Sequence, residues 1–291
     1  MSSTHAFPKP TAFLTVRCHK PDWLPSLCGL CVGYENKIWR NEALADHIVQ
    51  WLPEFALTPK EWTGLNSANA VELIRKAAQT VYQTDRFSKR GEFGELFLHA
   101  AIRQVHDSLP AISKIYYKSA VNDTVKGFDA VHVVGPPGDM ELWLGEAKFY
   151  DNASKAISDV TAEIQSHLST DYLRSEFILI ANKIDDRWPH APALRQLISK
   201  ETSLDVIFKR ACIPVLLTYD SASVNSYSEC SPEFESSFND ELVGLHDAFK
   251  KSLTKKTIPL EVRVHLFLMP LNHKPTLVAA LDRKLKAWQG L

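Results

Sequence analysis

A mixed α/β fold, with a sheet flanked by helices and preceded by an N-terminal extension, is predicted for this 291-residue chain by two features. Strand-like apolar runs recur at residues 127–134, 142–150, 177–181, 213–219 and 262–269, and beyond residue 150 they alternate with helical stretches. Parallel strands need crossover connections, usually helices, so this rhythm indicates a mixed or parallel sheet. At 45% hydrophobic and 23% charged, the chain can bury a sizeable core and is not disordered.

Residues 1–40 are rich in Pro, Trp and Cys, with a short apolar run at 12–16, and read as a small strand-bearing extension. The spacing across residues 43–52 suits a helix ended by Pro53. The predicted organisation is therefore a partly helical extension over 1–62 and a main domain over 63–291. A helix is expected from Asn69 to Tyr82, and a second after the basic break 88–91, carrying Glu92, Glu95 and Arg103 into a strand at 112–118. Ile157, Val160, Ile164 and Leu168 follow helical spacing from a cap near Asn152, so this helix should lie on the sheet. Ser158, Thr161 and Gln165 form a polar stripe beside it.

Lys and Arg total 33 against 34 Asp and Glu, which leaves no global field to attract nucleic acid. Any such affinity must come from local patches or from a partner. Lys114, Lys118 and Lys126 are the better placed cations for phosphate contacts; Arg283, Lys284 and Lys286 read first as a solvated helix-end cluster and second as a groove for DNA or an acidic partner. No stretch approaches the roughly 20 apolar residues of a membrane span, so a cytoplasmic protein without a membrane partner is expected. Five scattered cysteines do not form a disulfide framework. Cys28 and Cys31, even with Cys18 and His19, lack a second close pair at zinc-finger spacing; they read as buried thiols, in a loop suggested by Pro21, Trp23 and Pro25. His132 and His265, inside strand-like runs, read as hydrogen-bonded core or edge histidines before metal ligands.

The chemistry concentrates at Glu146 and Lys148. Two charges two residues apart in a core-type strand point to one face of the sheet. Seventeen residues before Glu146, Asp129 interrupts another strand-like run, and Pro136, Pro137, Gly138 and Asp139 supply a turn between them. Hairpin pairing would set Asp129 beside Glu146 and Lys148. Two carboxylates hold a hard cation such as Mg2+, or Mn2+, while a neighbouring ammonium orients water and offsets charge on phosphorus. The same three residues as a plain surface ion pair would contribute little.

Asp129 followed by Glu146-x-Lys148 resembles the PD-(D/E)xK nuclease superfamily, although the Pro before the Asp is absent. The resemblance implies a restriction-endonuclease-like fold and, in many members, a further metal-binding Glu from an earlier helix. Glu95 is the first choice for that role and Glu92 the second; Gln165 is a weaker candidate for a supporting Gln. Residues 90–95, 126–132 and 144–150 together resemble the HamA family of Hachiman antiphage systems. That resemblance implies a prokaryotic defence deoxyribonuclease acting on DNA with a HamB-like helicase subunit. No ATP-binding or dinucleotide motif is present, so any ATP would be used by a partner. Two alternatives remain: a catalytically silent DNA-binding adaptor of the helicase, and a metal-dependent RNase.

Overall fold

The apolar runs become strands where alternate residues can be buried on two faces, and nearly all join one sheet. The computed structural model describes residues 9–58, 61, 64–81, 91–113 and 127–290. The N-terminal part contains β1 (Thr15–Lys20), β2 (Ser26–Cys31), a small hairpin of β3 (Tyr34–Glu35) and β4 (Ile38–Trp39), then α1 (Asn41–Val49) and α2 (Leu52–Ala56). Next come α3 (Ala70–Val81), α4 (Glu92–His106), β5 (Leu109–Ser113), β6 (Ala130–Val134), β7 (Glu141–Phe149), α5 (Ala153–His167), α6 (Thr170–Lys183), α7 (Ala191–Leu197) and α8 (Leu204–Arg210). The remainder is β8 (Ala211–Asp220), α9 (Ala222–Ser226), α10 (Pro232–Leu253), β9 (Arg263–Leu271) and α11 (Lys274–Gln289).

The 7-stranded sheet has the order β1-β2-β9-β8-β7-β6-β5. Its centre, β2, β9, β8 and β7, is parallel, and antiparallel strands flank it at both ends. This is the mixed, helix-flanked α/β sheet that the sequence predicts. Both faces are covered, which explains why β8 is buried at nearly every position instead of alternating.

Two helices fix the faces around β7. On one side α4 approaches closely because glycine stands at the contacts: a Cβ on Gly145 would meet Leu98 Cδ2 at 2.7 Å, and one on Gly94 would meet Phe149 Cβ at 3.0 Å. Phe97 then stacks on Phe149, with centroids 5.5 Å apart. On the other side α5 starts at Asn152, whose Oδ1 accepts from the Lys155 amide at 2.8 Å, and buries Ile157, Val160 and Ile164 as its spacing predicts.

Several local expectations are corrected. Residues 177–181 are helical, inside α6, and not a strand. Leu173, Phe177 and Ile180 are buried while Ile178 and Leu179 face outward, so the apolar run hides a one-sided helix. Pro53 sits in the first turn of α2 and opens a short second helix after α1, a position where its missing N–H costs nothing. Cys28 and Cys31 lie on β2 and not in a loop. Lys114, Lys118 and Lys126, and the strand expected beyond Ser113, lie outside the described residues.

The N-terminal strands are laid onto the main sheet, with β2 running parallel to β9. A buried ionic cluster ties the same region to α4. Arg103 Nε donates to both oxygens of Glu54 at 3.0 Å, its Nη2 lies 2.9 Å from Glu54 Oε1, and His99 Nε2 lies 3.2 Å from Oε2. Burial works against the Glu54 charge, yet His99 and Arg103 together hold its carboxyl below the usual range. The C-terminal cations are paired as well: Arg283 with Glu42 at 2.6 Å, Lys284 with Asp46 at 2.6 Å, and Lys286 with Asp282 at 3.0 Å. Arg283 and Lys284 thus pair across to α1 and Lys286 pairs within α11, and the Arg283–Glu42 pair stays solvent-exposed, as a solvated helix-end cluster should.

Candidate active site

The β6–β7 hairpin is built by its turn. Residues Pro137–Asp139 form one 3-10 turn, closed by the Asp139 amide donating to Pro136 O at 3.0 Å. Gly135 adopts φ +90, and a Cβ there would lie 2.6 Å from Asp139 O, so the tight entry requires glycine. The register pairs Ala130 with Gly145, and the Asp129 amide donates to Gly145 O at 2.9 Å. Asp129 therefore stands across from Glu146, as the spacing predicts. Its Oδ2 accepts from the Ala147 amide at 2.9 Å, which anchors the carboxylate on β7.

Strand alternation puts Glu146 and Lys148 on the face opposite Gly145 and Ala147, beneath α5. Asp129, Glu146 and Lys148 are all buried. The helix answers the strand residue by residue. His167 Nδ1 contacts Glu146 Oε1, Glu163 contacts the Lys148 ammonium, and Asp159 Oδ2 accepts from the Tyr150 hydroxyl at 3.1 Å. Residues 159, 163 and 167 recur one helical turn apart, and 146, 148 and 150 alternate on the strand, so the two periods stay in step. Tyr172 stacks on His167 with centroids 4.3 Å apart, and Phe128 meets its edge at 5.3 Å.

Electrostatics follow from that enclosure. Burial pushes the Glu146 carboxyl up to about 7; His167 pulls it down and Asp129 pushes it up. Burial disfavours the Lys148 charge, but Glu163, Asp129 and Glu146 outweigh it and raise the ammonium. For His167 burial also opposes charge, and Glu146, Glu163 and Asp129 reverse the balance upward.

Glu95 is buried on α4, the helix covering the Ala147 and Phe149 face, while Glu92 is half-exposed in the first turn. Among the described residues no three His, Cys, Asp or Glu side chains form a metal-holding group. Gln165 is exposed, and the polar stripe next to it in sequence includes Thr161, which turns back to bond Ile157 O at 2.9 Å. On α5, Glu163 and His167 reach Lys148 and Glu146. Their spacing of four was visible, but nothing local said which helical stripe would face β7. His132 and His265 are core histidines, bonded to Ser108 Oγ at 2.8 Å and Ser26 Oγ at 2.6 Å. Burial pushes the Cys28 and Cys31 thiols up to about 12 and about 11, as inert buried thiols require.

A mixed sheet flanked by helices, whose adjacent strands bring an Asp and a Glu-x-Lys together, defines an α/β protein with a buried carboxylate–ammonium site. The chain belongs to the HamA family, whose profile matches residues 11–285. It is also 26% identical over 261 residues to a protein of Escherichia coli (strain K12) named anti-bacteriophage protein A. That match covers 87% of this chain and 46% of the relative, so the chain spans about half the length of the curated relative. No helix among the described residues is long and apolar enough to cross a membrane.

Proposed function

We propose that this chain is the nuclease subunit of an antiphage defence complex, a Mg2+-dependent deoxyribonuclease that hydrolyses DNA phosphodiester bonds and is gated by a HamB-like helicase. The observation that carries the reading is the convergence of Asp129, Glu146 and Lys148 on one buried face of a hairpin, with Asp129 anchored to the Ala147 amide at 2.9 Å. Membership of the HamA family and the name of the E. coli relative support the defence role.

The donor chemistry fits the implied metal. Asp129 and Glu146 offer hard oxygen donors, and Mg2+ is commonly held by one or two carboxylates, keeping its other positions for water and substrate phosphate. When bound, the metal would polarise the phosphoryl group and lower the pKa of a water. Asp129 would hold its carboxylate in a fixed direction because a backbone amide pins one oxygen. Lys148, kept charged by its carboxylate neighbours, would stabilise negative charge growing on phosphorus. Burial of Glu146 would keep bulk water from weakening these interactions.

The near-neutral balance of 33 cationic and 34 anionic side chains supports a division of labour, in which a helicase captures and opens DNA and the nuclease cuts it. The test is purified protein, with and without the co-expressed helicase, on labelled DNA and RNA with Mg2+ or chelator. Chelator-sensitive DNA cleavage that the partner controls supports the reading. Cleavage of RNA alone indicates an RNase, and DNA binding without any cleavage indicates the silent adaptor.

A further inference from the structure

Glu146 and Lys148 each have one helix partner, and the two partners stand one turn apart on α5. His167 meets the carboxylate and Glu163 meets the ammonium. His167 is held by more than that contact. His167 lies flat on Tyr172 at 4.3 Å, with an interplanar angle of 11°, and meets Phe128 edge-on, so its ring plane is fixed before any ligand arrives. The helix carrying both is registered to the sheet by buried Val160 and Ile164, which flank these positions. Below them, Asp159 joins the Tyr150 hydroxyl at 3.1 Å and Lys155 at 2.7 Å, extending the same stripe.

We propose that His167 and Glu163 are the positioning pair of this site, His167 orienting the Glu146 carboxylate for the metal and Glu163 orienting the Lys148 ammonium for the scissile phosphate. The proposal rests on the metal-dependent reading above. It divides the two tasks between two residues. A carboxylate free to rotate must be immobilised by the cation itself, whereas one held by an imidazole presents a ready oxygen, and loss of such an outer partner typically costs about 10- to 100-fold in metal affinity. Glu163 acts on the ammonium and so bears on turnover without changing cation capture. Neither residue need touch the reacting atoms.

The test uses the full chain and Mn2+ alone as probe, followed by calorimetry, with cleavage measured in parallel. His167→Ala should weaken Mn2+ binding by about 10- to 100-fold, with cleavage largely recovered at saturating metal. His167→Asn, whose side-chain N–H can stand where Nδ1 does, should restore most of the affinity. Glu163→Gln should bind Mn2+ like the parent yet cleave about 10-fold more slowly at saturation, in line with losing one oriented charge. Gln165→Ala, exposed on the same helix, should change neither property. Circular dichroism melts confirm that each variant is folded. A folded His167→Ala that binds Mn2+ as tightly as the parent, or a His167→Asn no better than Ala, overturns the proposal while leaving the metal-dependent reading intact. A parent chain that binds no Mn2+ and cleaves nothing with its partner removes both.

Discussion

His167 reaches Glu146 from the last turn of α5 and sets an imidazole nitrogen against a carboxylate that the fold has already taken out of water. One turn earlier, Glu163 does the same for Lys148. The charges that interrupt β7 are therefore compensated by the layer above the strand. A buried charge without such compensation would neutralise or unfold its surroundings.

Replacing Asp129, Glu146 or Lys148 with Ala should each reduce metal-dependent DNA cleavage by about 10³-fold or more, because groups acting as a unit fail together. Double substitutions should be scarcely worse than single ones. Near-parental cleavage by any single variant, under conditions where chelator stops the parent, would sink the assignment.

Glu95 and Glu92 separate by the metal dependence of their variants. If Glu95 completes the metal shell from α4, Glu95→Gln should lose activity that higher Mg2+ or Mn2+ partly restores, while Glu92→Gln stays close to the parent. The reverse ranking transfers the role to Glu92. Parental activity in both confines the metal ligands to Asp129 and Glu146.

The cluster of Glu54, His99 and Arg103 should behave as a buried ion pair does when halved. Arg103→Ala leaves the Glu54 carboxylate enclosed without its main partner and should cost about 3–5 kcal/mol in urea unfolding. The double variant Arg103→Met with Glu54→Leu should recover much of that loss. A cost below about 1 kcal/mol for Arg103→Ala would show that the pair contributes no more than a surface contact.

Acid should destabilise the fold from about pH 6.5 downward, near the ordinary histidine pKa. Burial lowers His47 and His106 to about 4, His265 to about 3, and His132 well below its usual value. Each takes up a proton on unfolding between those limits, so stability is full above pH 6.5 and is lost at about 1.4 kcal/mol per pH unit for a fully buried imidazole. Glu146, raised to about 7, works in the opposite sense, binding its proton in the folded state first as the pH falls. Four histidines lowered by burial outweigh the two groups raised in the folded state, Glu146 and His167, and give a net loss. Denaturant midpoints at pH 7.5, 6 and 5 check this, and a midpoint that holds or rises toward pH 5 would contradict it.

The hairpin of Asp129, Glu146 and Lys148 was legible because strand alternation, turn residues and pairing are all local, and each agreed with the others. The stretch 177–181 was misread for the same reason in reverse: five apolar residues in a row carry no period, and only packing shows that Phe177 and Ile180 turn inward while Ile178 faces out. His167 escaped because its significance depends on which α5 stripe meets β7, a tertiary fact. The pairing of Ser26 with His265 joins residues from opposite ends of the chain, and no local pattern announces it.

That last pairing has a kinetic meaning. Strand β9 lies between β2 and β8, so one edge of each of these earlier strands waits for a third strand to pair it. During synthesis the hairpin with Glu146 and Lys148 emerges while the gap beside β8 is still open, leaving an unpaired edge that invites aggregation. Such order of assembly makes this a high-contact-order chain, slow to fold and dependent on its final strand, and it means that shortened products ending before β9 lack a finished sheet however complete their catalytic motif.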